Sequence, residues 1–218
     1  MDGNGRWARR RGLPRAAGHR AGVSVLTPVV ETAGELGIES LTLYAFSTEN
    51  WARPAEEVDT LMSLFLETAR RKLPEIRDRG ARIRFVGRRE HLPEPVRRAM
   101  GEAEELTAAN DRLRVYIALN YGGRSEIVDA ARRMLAEGLS PEEVDEKTFA
   151  RYLYAPEVPD LDLLIRTSGE MRVSNFLLWQ IAYAELYVTE TFWPDFSREE
   201  FLKAIEDFAS RSRRWGGV

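Results

Sequence analysis

The chain has 218 residues, 44% hydrophobic and 31% charged, with a formal net charge of -3 at pH 7. That length suits one domain with a real core, and the acidic balance gives no general attraction to nucleic acid. Cysteine is absent, which excludes a disulfide framework and thiolate chemistry; no signal peptide and no bilayer-length apolar run is present, so the default compartment is the cytoplasm.

The first element in chain order is the turn Asp2-Gly3-Asn4-Gly5-Arg6-Trp7. If a helix starts there, its open backbone N–H groups form an anion site. Asp2 then stands at the rim, where a divalent cation could bridge it to a bound phosphate. The alternative is a plain Asn-Gly turn. Met1 lies directly against this turn, without the strand that usually precedes a phosphate turn in an α/β protein. Arg15 and His19 follow four residues apart and share a helix face, so both could serve the same anion; taken alone, His19 fits a surface or capping position better. The helical stretch Gly18 to Leu36 contains Pro28, which predicts a kink or an interruption.

Ile38 to Phe46 then reads as a strand, and Val58 to Arg79 as a helix with Leu61, Leu64, Phe65 and Ala69 at helical spacing. Ala81 to Val86 alternates like a strand. A helix is expected over Pro95 to Ala109, its first turn tolerating the proline. Leu113 to Asn120 is a further strand, and Arg124 to Glu137 a helix closed by Gly138. Leu161 to Ile165 and Leu186 to Thr189 read as short strands, and Arg198 to Ser210 as the last helix. This alternation argues for an α/β fold with a mostly parallel central sheet flanked by helices. No repeat, low-complexity tract or linker divides the chain.

Two further clusters carry chemistry. Leu164 to Asn175 leaves a strand and enters a loop holding Arg166, Thr167, Ser168, Arg172 and Ser174, many anion donors in one connection. Such loops at strand C-termini bind ligands in α/β sheets, although a solvated polar loop would look the same. Glu185 is a lone carboxylate among Trp179, Ile181, Tyr183, Leu186 and Tyr187. It needs a cation: either a salt-bridge partner or, together with Asp2, a metal ion. Lysine occurs only at Lys72, Lys147 and Lys203; the arginine bias suits bidentate phosphate contact but also follows from genome composition.

These segments, taken together, resemble the cis-prenyltransferases, the undecaprenyl diphosphate synthase family. The matching blocks are Met1 to Ala8, Gly18-His19, Leu43 to Pro54, Asn120 to Arg124, Ile165 to Glu170, Ser174 to Trp179 and Trp193 to Phe196, in order along essentially the whole chain. The paired DDxxD motifs of the all-helical trans-type synthases do not occur.

The resemblance implies a single domain over residues 1–218 with an apolar product tunnel, lacking the family's N-terminal strand. It implies an enzyme that joins isopentenyl diphosphate to an allylic diphosphate, usually farnesyl diphosphate, with Mg²⁺, to give a medium or long (Z)-polyprenyl diphosphate such as a cell wall lipid carrier. Asp2 matches the catalytic, magnesium-linked aspartate and Glu185 the second metal-linked carboxylate. Gly3, Asn4, Gly5, Arg6, Arg15 and His19 match the allylic diphosphate site. Trp7, Ser47, Thr48, Glu49, Trp51 and Arg53 match further substrate contacts. Asn50 matches the residue proposed to help remove the proton; an amide is a poor base, so it would position substrate or water. Arg166, Arg172, Val173 and Ser174 match the isopentenyl diphosphate site. Arg214-Trp215-Gly216 matches the R-x-G tail that reaches across a homodimer.

Leu61, Leu64, Phe65, Leu113 and Ile117 are candidates for the tunnel wall, and core packing explains them as well. The small Ala45 favours a longer product, because a bulkier residue near this place shortens it in the family. Met171 stands where many bacterial relatives have histidine, and Ser168 where many have glycine. Two other readings are weaker. A non-catalytic partner subunit would lack Asp2 and much of the first block, yet Asp2, Asn50, Arg166 and Arg172 are all present. A generic nucleotide binder would carry G-x-x-x-x-G-K-[ST] or G-x-G-x-x-G, and neither occurs. The lipid product makes peripheral membrane contact plausible, without a basic amphipathic anchor to carry it.

Overall fold

The computed structural model describes residues 1–212. Along the chain run α1 (Asn4–Arg10), α2 (Arg15–Ser24), α3 (Leu26–Glu35), β1 (Ser40–Ser47), α4 (Ala55–Asp78), β2 (Ala81–Val86), α5 (Glu94–Leu106), β3 (Leu113–Tyr121), α6 (Gly123–Ala136), α7 (Glu146–Arg151), β4 (Leu163–Arg166), β5 (Glu185–Val188) and α8 (Arg198–Ser210). Short 3₁₀ turns cover Thr48–Ala52, Pro141–Glu143 and Trp193–Asp195. The fold is α/β, and every strand pair among the described residues is parallel. The expected helix over Gly18 to Leu36 is two helices, parted at Val25, with Pro28 in the first turn of α3. Proline lacks the N–H that a continuous helix would need there, and a first turn does not require it.

Two compact units divide these residues. One contains residues 33–160 and 173–182. Its sheet has the order β1-β3-β2, and central β3 is buried at nearly every position, which is why its sequence reads as an almost unbroken apolar run. Val58 and Met62 of α4 and Val96, Met100 and Ala103 of α5 close a core with Phe46, Ile83, Phe85 and Leu119 of the sheet. Each large side chain so buried contributes about 1.5–3 kcal/mol, so this helix face, rather than helix propensity, holds α4 and α5 in place. Leu61, Phe65, Leu66, Leu73, Ile76 and Ile117 pack on that core only half-buried, leaving an apolar bed. Leu113, by contrast, is buried. In β1 the pairing passes from Tyr44 to Phe46, so Ala45 is the extra residue of a bulge and is exposed.

The other unit contains residues 1–32, 161–172 and the described residues from 183 onward. Here α1 and α2 approach so closely that a Cβ on Gly18 would lie 2.0 Å from the Asn4 carbonyl oxygen. The Trp193 indole N–H donates to the Gly22 carbonyl at 2.8 Å and ties α2 to the 3₁₀ turn over Trp193–Asp195. Strands β4 and β5 form a two-stranded sheet, from Leu163 opposite Glu185 to Arg166 opposite Val188. Helix α8 starts where Ser197 Oγ accepts from the Glu200 N–H at 3.3 Å. The described residues include no helix long and apolar enough to cross a membrane.

Candidate active site

In the unit that holds both chain-start helices, α1 opens at Gly3, whose φ of 97° is left-handed. Only glycine fits: a Cβ would meet Ser168 Oγ at 2.3 Å and Phe192 Cδ1 at 2.6 Å. No side chain caps the helix, and its first internal bond runs from the Trp7 N–H to the Gly3 carbonyl at 2.8 Å. The N–H groups of Asn4, Gly5 and Arg6 therefore have no acceptor within the helix. Arg15 lies against this turn, since a Cβ on Gly5 would stand 2.8 Å from its Nε. His19 sits one turn further along α2, half-buried. Backbone donors and the Arg15 guanidinium thus lie at one turn, an arrangement suited to a phosphate anion.

Asp2 is held from several sides. Its Oδ1 accepts the Gly3 N–H at 2.7 Å, and its Oδ2 accepts Arg166 Nη2 at 3.0 Å. Arg6 Nη2 stands 3.6 Å from Oδ2. Burial pushes the Asp2 carboxyl up, but the Arg166 and Gly3 hydrogen bonds and the charges of Arg166 and Arg6 outweigh it and hold it below its ordinary value. Arg6 also pairs with Glu170 Oε1 at 2.9 Å. Arg166 donates to the Arg172 carbonyl, and Arg172 pairs with Glu170. Trp7 is tied elsewhere: its indole N–H donates to Asp195 Oδ1 at 2.7 Å, and Arg11 lies 4.2 Å over its ring. Glu185 pairs with Arg211 at 2.8 Å, so the salt-bridge partner that its sequence setting calls for is present.

In the unit that holds the three-stranded sheet, Ser47 ends β1 and caps the 3₁₀ turn over Thr48, Glu49, Asn50 and Trp51. Asn50 Oδ1 accepts the Ser47 N–H at 3.1 Å. The amide oxygen is already an acceptor, which suits positioning rather than proton uptake. The Trp51 indole N–H donates to Asn120 Oδ1 at 2.7 Å, and the residue is 38% exposed. Arg53 pairs with Glu57 at 2.8 Å. Val173 and Ser174 lead into Asn175, and both Ser174 and Asn175 are left-handed, at φ 49° and 61°. Asn175 donates to Glu49 Oε1 at 2.7 Å, and its own Oδ1 accepts the Arg124 N–H at 2.8 Å. Burial raises the Glu49 carboxyl, and the Asn175 and neighbouring hydroxyl hydrogen bonds bring it below its ordinary value.

The sequence marks Thr167 only as one of several anion donors, and it assigns no role to Glu170, Asn120, Asn175 or Arg211. Each acts through a neighbour distant in sequence or through a partner of ordinary composition, and no local pattern marks such pairs. Among the described residues no group of three metal-ligating side chains forms. The expected tail Arg214-Trp215-Gly216 lies outside the described residues.

A family model for undecaprenyl diphosphate synthase matches residues 1–216. The chain is 55% identical over 222 residues to an isoprenyl transferase of Heliobacterium mobile, covering 100% of this chain and 85% of that protein. It is 53% identical to a trans,polycis-polyprenyl diphosphate synthase ((2Z,6E)-farnesyl diphosphate specific) of Thermobifida fusca, covering 100% of this chain and 79% of that one. The fold is similar to lavandulyl diphosphate synthase of Lavandula x intermedia, solved with dimethylallyl diphosphate, with a TM-score of 0.96 at 36% identity over 100% of this chain and 95% of that one.

Proposed function

The chain belongs to the undecaprenyl diphosphate synthase family of prenyltransferases, and from that premise we propose that it condenses isopentenyl diphosphate with farnesyl diphosphate into a medium or long (Z)-polyprenyl diphosphate. The observation that carries this reading is Asp2, an ionised carboxylate fixed by Arg166 and the Gly3 N–H at the uncapped start of α1.

The allylic diphosphate binds at that start. Asn4, Gly5 and Arg6 offer N–H groups to it, and Arg6 and Arg15 offer guanidinium groups. Breaking the allylic C–O bond leaves charge on the diphosphate, and donors already in place stabilise it without reorganising. Arg166 and Arg172 take the diphosphate of isopentenyl diphosphate. Asn50 orients the homoallylic substrate or a water, and the released proton goes to diphosphate or solvent. The half-buried bed of Leu61, Phe65, Leu66, Leu73, Ile76 and Ile117 supports an apolar path for the growing chain.

Mg²⁺ fits the donor set in one way. It is bound in phosphate sites through one or two carboxylates together with substrate oxygens, not by an all-protein cage. Asp2, with its side chain 41% exposed, suits that role; Glu185 already holds Arg211 on its Oε2. Bound there, Mg²⁺ would neutralise leaving-group charge. The dimer and any membrane contact of the lipid product belong to the same proposal. Labelled isopentenyl diphosphate incubated with farnesyl diphosphate and Mg²⁺ should enter a lipid extract, and a chelator should stop it. Incorporation unaffected by chelator would refute the metal assignment, and none at all would refute the reading.

A further inference from the structure

Thr167 has a hydroxyl with a specific task. It accepts the Asp2 N–H at 2.9 Å and donates to the Asp2 carbonyl at 3.0 Å. One side chain therefore holds both backbone polar groups of a residue 165 positions away. The Trp193 N–H donates to the same carbonyl at 2.9 Å, and a carbonyl has lone pairs for both. Thr167 is 2% exposed, so water does not compete for these bonds. Its β-branched side chain has few rotamers, which fixes the hydroxyl once the backbone is fixed. The neighbours act on the same place: Arg166 grips Asp2 Oδ2, and Ser168 Oγ packs against Gly3.

We infer that Thr167 is a positioning residue, whose hydroxyl pins the main chain of Asp2 so that its carboxylate keeps a set direction toward the diphosphate and its cation. This rests on the reading that Asp2 acts in turnover. Arg166 alone cannot do it. A guanidinium on one carboxylate oxygen follows the carboxylate if the peptide moves; a bond to N–H and C=O together stops the peptide from moving. Residues that orient a metal-linked group usually cost 10- to 100-fold in metal affinity or activity when lost. Displacement of a reacting group by about 1 Å costs a similar factor.

The test uses the full chain in four forms: wild type, Thr167→Val, Thr167→Ser and Asp2→Ala. Steady-state kinetics with both diphosphates are paired with melting temperature and with Mg²⁺ titration of the binding of a non-reacting allylic thiodiphosphate. Valine keeps the shape and loses the hydroxyl; serine keeps the hydroxyl. Thr167→Val should lower kcat about 10- to 100-fold, leave KM for isopentenyl diphosphate within about 2-fold, and weaken the Mg²⁺ dependence of analogue binding about 10-fold. Thr167→Ser should recover most of both. The inference is overturned if Asp2→Ala is inactive while Thr167→Val is wild type in kcat and Mg²⁺ titration. It is also overturned if Val and Ser fail alike with lowered melting temperatures, since the loss is then structural. Asp2→Ala turning over like wild type overturns the underlying reading of Asp2, and the inference with it.

Discussion

The guanidinium of Arg166 donates from Nη2 to Oδ2 of Asp2 at 3.0 Å across 164 positions of sequence. It joins the last residue of β4 to the turn that opens α1, and it keeps the Asp2 carboxylate ionised. Asp2→Asn keeps the side-chain shape and removes the charge. Turnover should fall by about 10²- to 10³-fold, with a much smaller change in KM for isopentenyl diphosphate. Because the Asp2 carboxyl lies below its ordinary value, its contribution to stability is complete above the ordinary carboxylate range and is lost only as pH falls through the folded value. Activity at neutral pH should therefore show no step from this group; a pH–rate profile of kcat checks it.

Ala45 is the extra residue of the β1 bulge and is exposed, so a larger side chain enters open space rather than the core. Ala45→Leu should fold normally and shorten the lipid. Thin-layer chromatography of the product would show the shift, and an unchanged chain length at normal activity would count against this role.

Glu126 of α6 is 1% exposed. It accepts the Tyr121 hydroxyl and the Tyr154 N–H, with Gln180 bonded to it and the charge of Arg133 nearby. Burial raises its carboxyl above the ordinary value despite these partners. The folded chain thus holds this proton more tightly than the unfolded chain does. Stability should fall as pH rises from the ordinary carboxyl range through the raised folded value. Glu126→Gln removes that dependence. Unfolding midpoints across that range should fall less with pH in the variant, and parallel curves would contradict the assignment.

Gly18 marks the closest approach of α1 and α2. Alanine is the better helix former by about 1 kcal/mol, but its Cβ would lie 2.0 Å from a backbone oxygen that cannot swing away. Overpacking should win: Gly18→Ala should lose about 1–3 kcal/mol, roughly 2–12 °C in melting temperature for a chain this size. A rise in melting temperature would show that the helix pair can part freely.

Much of this architecture was legible in order along the chain. Ala81–Val86 and Arg198–Ser210 have the bounds expected from the sequence, and Pro28 does part a helix. Helix α7 escaped notice although Asp145 caps it through the Thr148 N–H at 2.6 Å, because six residues are too few to show a period. The Asp2 turn was legible because glycine, carboxylate and arginine stand together in it. The partners of Thr167 and Asn175 were not: Thr167 reads as one more anion donor, whereas its hydroxyl serves Asp2 and the Asn175 amide serves Glu49, both brought near only by folding. Trp7 and Arg53 carried expected substrate roles, and each already has a protein partner, Asp195 and Glu57.

The decisive measurement is the mass of the lipid that the purified chain makes from isopentenyl and farnesyl diphosphates in Mg²⁺. Polyprenyl diphosphates longer than the starter by whole isoprene units are expected, and none from Asp2→Ala. Unextended farnesyl diphosphate as the sole lipid, with a folded protein in the tube, would contradict this expectation.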